Sequence, residues 1–171
     1  MALGEEAFLE AVMAMRSKLY HVAISILWNE QDAADAVQEA MLKGWKRRGG
    51  LRDEARFEAW FTRILVNQCR DIQRRQIRGR RLLQDAGQRK LAEEAPGPDG
   101  ELLDALRELP ERLRLPVLLY YFEGYSQKEI GRIVGATPEQ VKSRIRQGRE
   151  KLKGLMLDGD EARQRGGDGH G

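Results

Sequence analysis

Residues 125–152 read YSQKEIGRIVGATPEQVKSRIRQGREKL, and no other stretch of the chain restricts its fold as tightly. Ser126 with Glu129 makes a capping box, and Thr137 with Gln140 makes a second, with Pro138 at the favoured first helical position. Gly135 stands where a helix ends in a left-handed turn. Two short helices joined so tightly form a helix-turn-helix, whose second helix enters the major groove of DNA. On that second helix Val141, Ile145, Gly148 and Leu152 recur at helical spacing and point inward. Gln140, Ser143, Arg144 and Gln147 fall on the opposite side, flanked by Lys142, Arg146 and Arg149. Gln and Arg form bidentate hydrogen bonds to adenine and guanine edges, and Lys and Arg neutralise phosphates. A solvated helix of a bundle carries similar charges, but it needs neither two adjacent caps nor this turn.

Composition sets wider limits. At 171 residues the chain has room for one domain or two small ones. A hydrophobic fraction of 41% supports a folded core, and a net charge of +3 does not by itself demand nucleic acid. Charge distribution says more: Arg70, Arg74, Arg75, Arg78, Arg80, Arg81, Arg89 and Lys90 face only Asp71 and Asp85 in the same stretch. One cysteine, Cys69, and two histidines, His21 and His170, supply neither a disulfide framework nor a Cys/His zinc site, and no cofactor is expected. Cys69 lies in an apolar helical run and reads as a buried, inert thiol. The start of the chain has no secretory pattern, and no segment reaches the roughly 20 apolar residues of a membrane span. A cytoplasmic protein without membrane insertion is expected.

The expected fold is all-α: two small helical domains joined by a flexible linker, the second a helix-turn-helix. The first domain spans 1–87, the linker 88–100 and the second domain 101–157, with a disordered, Gly-rich tail at 158–171. Periodicity predicts one helix over 8–27 and a second running to about residue 45, with Asn29 or Asp32 as its cap. A third helix is predicted over 54–77, with Phe57, Trp60, Phe61, Ile64, Leu65 and Ile72 inward. A break follows Trp28, and Gly49-Gly50 makes a loop. Pro116 marks a kink or a new first turn. No stretch alternates as a strand.

Three blocks carry a family resemblance over residues 8–154. They are Asp32-Ala-Ala-Asp35-Ala-Val-Gln38-Glu39 with Leu42 and Trp45; Phe57-x-x-Trp60-x-x-x-Ile64-x-x-Asn67-x-x-x-Asp71-x-x-Arg74-Arg75; and the helix-turn-helix. In this order they resemble the extracytoplasmic-function sigma factors of the sigma-70 family. The resemblance implies a polymerase-binding patch at Asp32, Asp35, Gln38, Glu39, Leu42 and Trp45, facing the β′ clamp helices of bacterial core RNA polymerase. It implies −10 promoter reading and melting at Arg47, Arg48, Arg52, Arg56, Asn67, Arg70, Asp71, Arg74 and Arg75. The loop 49–56 would help to hold a flipped base, and Asp71 would orient an arginine. It implies −35 contacts at Ser126, Lys128, Thr137, Glu139, Gln140, Lys142, Ser143, Arg144, Arg146, Gln147 and Arg149. An anti-sigma factor is an expected partner.

The chain departs from the family at Glu139-Gln140, where Gly-Thr is common, and at Gln147-Gly148, where Arg-Ala is common. Gly148 should weaken its helix by about 1 kcal/mol relative to Ala. Read without the resemblance, Asp35, Gln38 and Glu39 share one helix face that could be merely solvated, with Trp45 in the core. A stand-alone helix-turn-helix regulator is the rival reading; it predicts a homodimer on a palindromic operator. A hydrolase using Asp32, Asp35 and Glu39 lacks a convergent histidine, a nucleophile elbow and a phosphate-binding loop.

Overall fold

The computed structural model describes residues 3–83 and 100–167. The described residues are helical and contain no strand. Helix α1 spans Glu5–Ala14 and α2 Arg16–Leu27, so the predicted single helix is broken at Met15. There φ/ψ move to −108/17 and the Met15 N–H bonds back to the Val12 carbonyl, an i−3 contact. Hydrophobic spacing runs smoothly across this break because Met15 is itself buried. Trp28 ends α2 in the left-handed region at φ 52, a conformation that costs a bulky residue about 1–2 kcal/mol. Burial of its ring, with the Arg107 and Arg114 guanidinium groups 5.4 and 5.0 Å from the centroid, offsets that strain.

Asn29 caps α3 (Glu30–Arg47): its Oδ1 accepts the Asp32 N–H at 2.9 Å. Two single-turn 3-10 segments lead into α4, Phe57–Leu83, which runs past the predicted end at residue 77. Phe61 and Leu65 are fully buried, while Trp60 and Ile72 are half-buried against the same core. Phe57 and Phe61 stack at 5.8 Å, and Phe8 meets both rings edge-on. Gly44 makes the close approach possible: a Cβ there would lie 2.8 Å from the Phe61 ring. Cys69 is buried beneath this layer. Burial pushes its thiol up to about 12, with the nearby Glu111 carboxylate adding to the rise, so it stays protonated and unreactive near neutral pH.

Helices α5 (Gly100–Glu108), α6 (Glu111–Tyr121), α7 (Gln127–Val134) and α8 (Pro138–Gly167) form the second unit. Helix α6 continues through Pro116. The main core does not stop at the first unit: Leu115, Leu119, Ile130, Ile133, Val141 and Ile145 belong to it. Helix α7 lies on α4 and α6 on α2, and the buried Tyr125 hydroxyl is 2.8 Å from Thr62 Oγ1 on α4. Burial raises the Tyr125 phenol above its usual range. A smaller cluster of Leu106, Leu109 and Val117 receives Leu152 and Leu155 of α8. Helix α8 runs to Gly167, ten residues into the stretch expected to be disordered from 158. Residues 168–171 and 88–99, where the rest of the tail and most of the linker were expected, lie outside the described residues, as do the side chains of Arg80, Arg81, Arg89 and Lys90.

Candidate nucleic-acid and protein interfaces

Helix α3 divides the expected polymerase-binding set between two faces. Asp35, Gln38 and Leu42 are exposed at i, i+3 and i+7, with Leu42 63% accessible. Asp32 and Glu39 lie on the neighbouring stripe, which faces α4. Gln76 Nε2 donates to Asp32 Oδ2 at 2.5 Å, and Gln68 Nε2 donates to Glu39 Oε2. Arg75 approaches the same Glu39 oxygen at 3.5 Å. Trp45 is half-buried, edge-on to Phe8 at 5.5 Å, with the Arg48 guanidinium 3.6 Å above its ring. An apolar groove of about 480 Å³ opens between α1 and α3, with Phe8, Leu9, Met41, Leu42 and Trp45 in its walls. The exposed carboxylate, amide and leucine beside this groove have the make-up of a docking face with an apolar centre and a polar rim.

The expected −10 set is also sorted. Arg47, Arg52 and Arg56 are exposed, and Arg56 lies 3.8 Å from Asp53, whose other carboxylate oxygen caps the short turn through the Ala55 N–H. Arg48 is half-buried, and its NH1 donates to the Trp45 carbonyl at 2.7 Å, closing the end of α3. On α4, Asn67, Arg74 and Arg75 are exposed. Asp71 accepts from Arg74 NH1 at 3.0 Å and lies 3.7 Å from Lys43 Nζ. Arg70 and Gln73 point toward the second unit, where Glu111 accepts from Gln73 at 3.0 Å and lies 4.0 Å from Arg70 Nε. Sequence reasoning missed Lys43, Gln68, Gln73 and Glu111. Gln68 did leave a signal, a polar residue on the stripe of Phe61, Leu65 and Ile72, and it is 1% exposed.

In the helix-turn-helix both capping boxes are complete. Ser126 Oγ accepts the Glu129 N–H at 3.1 Å while Glu129 accepts the Ser126 N–H at 3.0 Å. Thr137 Oγ1 accepts the Gln140 N–H at 3.2 Å and Gln140 Oε1 accepts the Thr137 N–H at 3.0 Å. Ser126, Thr137 and Gln140 are therefore engaged in holding helix starts. Gly135 has φ 76, as the turn requires, and a Cβ on Gly131 would meet the Ala136 carbonyl oxygen at 2.5 Å. Gly148 is no mere weak point in α8. A Cβ there would lie 2.6 Å from Val117 and 3.2 Å from the Leu113 carbonyl, so glycine lets α8 seat on α6. Lys128, Glu139, Lys142, Arg146, Gln147 and Arg149 are exposed, and Ser143 and Arg144 are half-buried. Gln147 donates to Ser143 Oγ at 3.1 Å, and Arg149 donates to the Tyr121 hydroxyl at 3.4 Å.

The chain matches two family models in the same order as these surfaces: Sigma-70 region 2 over residues 11–79 and Sigma-70, region 4, over residues 99–152. It is 32% identical to the RNA polymerase sigma factor SigV of Bacillus subtilis, over 76% of this chain and 79% of that one. It is 30% identical to the ECF RNA polymerase sigma factor SigM of Mycobacterium tuberculosis, over 81% and 71%. The chain belongs to the extracytoplasmic-function sigma factors of the sigma-70 family. A third relative, the ECF sigma factor SigE of Mycolicibacterium smegmatis, is 30% identical over 91% of this chain but is longer, so that 65% of its length is spanned. Among solved structures this sigma factor is similar to CnrH in complex with the cytosolic domain of CnrY, with 26% identity, TM-score 0.67 and coverage of 92% and 91%. It shares the fold of RpoE bound to the anti-sigma factor NepR from Bartonella quintana, with 23% identity, TM-score 0.73 and coverage of 88% and 96%. Among the described residues no helix is long and apolar enough to cross a membrane.

Proposed function

We propose that this sigma factor is the non-catalytic, cytoplasmic subunit that directs core RNA polymerase to promoters and assists their opening, through the surfaces just described. Asp35, Gln38 and Leu42 on α3, with the adjoining groove, form the polymerase-docking face toward the β′ clamp helices. Asn67, Arg74 and Arg75 on α4, with Arg47, Arg52 and Arg56 before it, meet strand-separated −10 DNA. The exposed face of α8 reads the −35 element on intact duplex, Arg144 and Gln147 at base edges and Lys142, Arg146 and Arg149 at phosphates. Residues 1–87 and 101–157 act as the two DNA-engaging domains and 88–100 as the linker between them.

The observation that carries this reading is the ordered match to both sigma regions on one chain, each unit turning a polar helix face outward. Joining two weak DNA contacts on one polymerase-bound body raises their effective concentration, so affinity climbs without new contacts. The neighbours bound to CnrY and NepR support an anti-sigma factor as a further partner. Run-off transcription with core polymerase, followed by 5′-end mapping, tests the reading. A discrete start site that depends on this protein is expected, and no protein-dependent transcript from any template would refute it. Asp35→Ala with Gln38→Ala should weaken polymerase binding by more than about 1 kcal/mol while leaving unfolding unchanged. Unaltered polymerase affinity would remove α3 from the interface.

A further inference from the structure

Gln68 sits where an apolar residue would pack, yet it ends in a primary amide that is all but inaccessible. A buried amide is tolerated only when hydrogen-bonded. Here its two ends meet groups of opposite demand: Nε2 donates to the Glu39 carboxylate, and Oε1 accepts from the Lys43 ammonium. An ammonium offers only donors and an ionised carboxylate only acceptors, so the amide has one satisfying orientation. Each branch then reaches an arginine. Glu39 lies 3.5 Å from Arg75 NH2. Lys43 lies 3.7 Å from Asp71, which accepts from Arg74 NH1 at 3.0 Å. A single buried amide thus joins two polar branches that end at adjacent arginines, whose side chains remain 66% and 57% exposed. Each guanidinium is held at one edge and keeps donors facing outward.

We propose that Gln68 is a positioning residue: through Glu39 and through Lys43–Asp71 it holds Arg75 and Arg74 in the directions in which they meet the phosphates of the opened promoter strand. The inference rests on the reading of α4 as the −10 helix. The amide itself touches no DNA. Its effect is to keep two long side chains from spreading over many rotamers, which a leucine of similar bulk cannot do.

The test uses holoenzyme assembled from the full chain and core polymerase. The probe is a forked duplex carrying the promoter mapped by run-off, unpaired in its −10 segment, and the readout is log K against log salt. Each single-strand phosphate contact contributes about 0.7 to the slope. Arg74→Ala with Arg75→Ala should lower the slope by about 1.4, two contacts' worth. Gln68→Leu, and Gln68→Met as the closer match in shape, should lower it toward the same value. Neither should lower it further when added to the arginine pair. A Gln68 variant that assembles into holoenzyme and keeps the wild-type slope overturns the proposal, whatever its melting temperature. So does a slope change that persists without the two arginines. A wild-type slope unmoved by the arginine substitutions overturns both this proposal and the reading of α4 on which it rests.

Discussion

The two helices whose polar faces are proposed to meet DNA, α4 and α8, are held in opposite ways. On α4 the polar side chains are tied across to other helices: Gln68 and Arg75 to Glu39, Gln76 to Asp32, Asp71 to Lys43, and Gln73 to Glu111. On α8 the polar ties of the outward face are short-range, Gln147 to Ser143 and Gln140 to Thr137, apart from Arg149 to Tyr121. The α8 face is therefore set mainly by its own caps and by how its underside seats on α6. The α4 face is set by its neighbours, so a change on α3 or α6 is felt there. On the proposed function, the helix set beside the opened strand is the one wired into the body of the protein, and the helix set on intact duplex is the self-contained one.

The comparison breaks most severely at Phe61. This ring is fully buried on α4, against Phe8, Phe57 and the Gly44 backbone. Phe61→Ala should cost about 3–5 kcal/mol in urea unfolding; a much smaller loss would mean that α4 is not anchored there. Arg144→Ala should weaken −35 binding by about 1–3 kcal/mol with the unfolding midpoint unchanged, the mark of a self-contained face. An unchanged upstream footprint would take Arg144 out of base reading.

Gly148→Ala sharpens the comparison on the underside of α8. Helix propensity favours the alanine by about 1 kcal/mol, but forcing a methyl against Val117 and the Leu113 carbonyl costs about 1–3 kcal/mol. Net destabilisation is expected in thermal unfolding, and a gain in stability would show that α8 sits farther from α6. The smallest effect belongs to Thr137→Ala, which removes one cap acceptor and should cost about 1 kcal/mol of stability. No loss would mean that the α8 start is held by packing alone.

Local chemistry was the part most legible in the sequence. Both capping boxes and the left-handed Gly135 depend on residues within a few positions of each other and stand as read; of the two caps expected for α3, Asn29 or Asp32, it is Asn29 that serves. The apolar stripe of α4 was legible for the same reason. What depended on a distant partner was not. Asp32 and Asp35 look alike in sequence, but only the position of α4 decides that one braces a helix while the other faces out. Arg48 reads as one more surface cation, and nothing in the sequence shows that its guanidinium lies over the Trp45 ring. Gly148 reads as a helix-weakening substitution until α6 is found against it. The break at Met15 is invisible to periodicity because both flanking helices bury the same stripe.

Promoter footprinting with and without core polymerase bears most directly on the claim that α4 and α8 work as two DNA-reading faces of one polymerase-bound subunit. The account predicts protection of two separated segments, the downstream one reactive to single-strand probes, only when protein and polymerase are present together. Equally strong protection by the protein alone, confined to a palindromic duplex site and unchanged by polymerase, would contradict it.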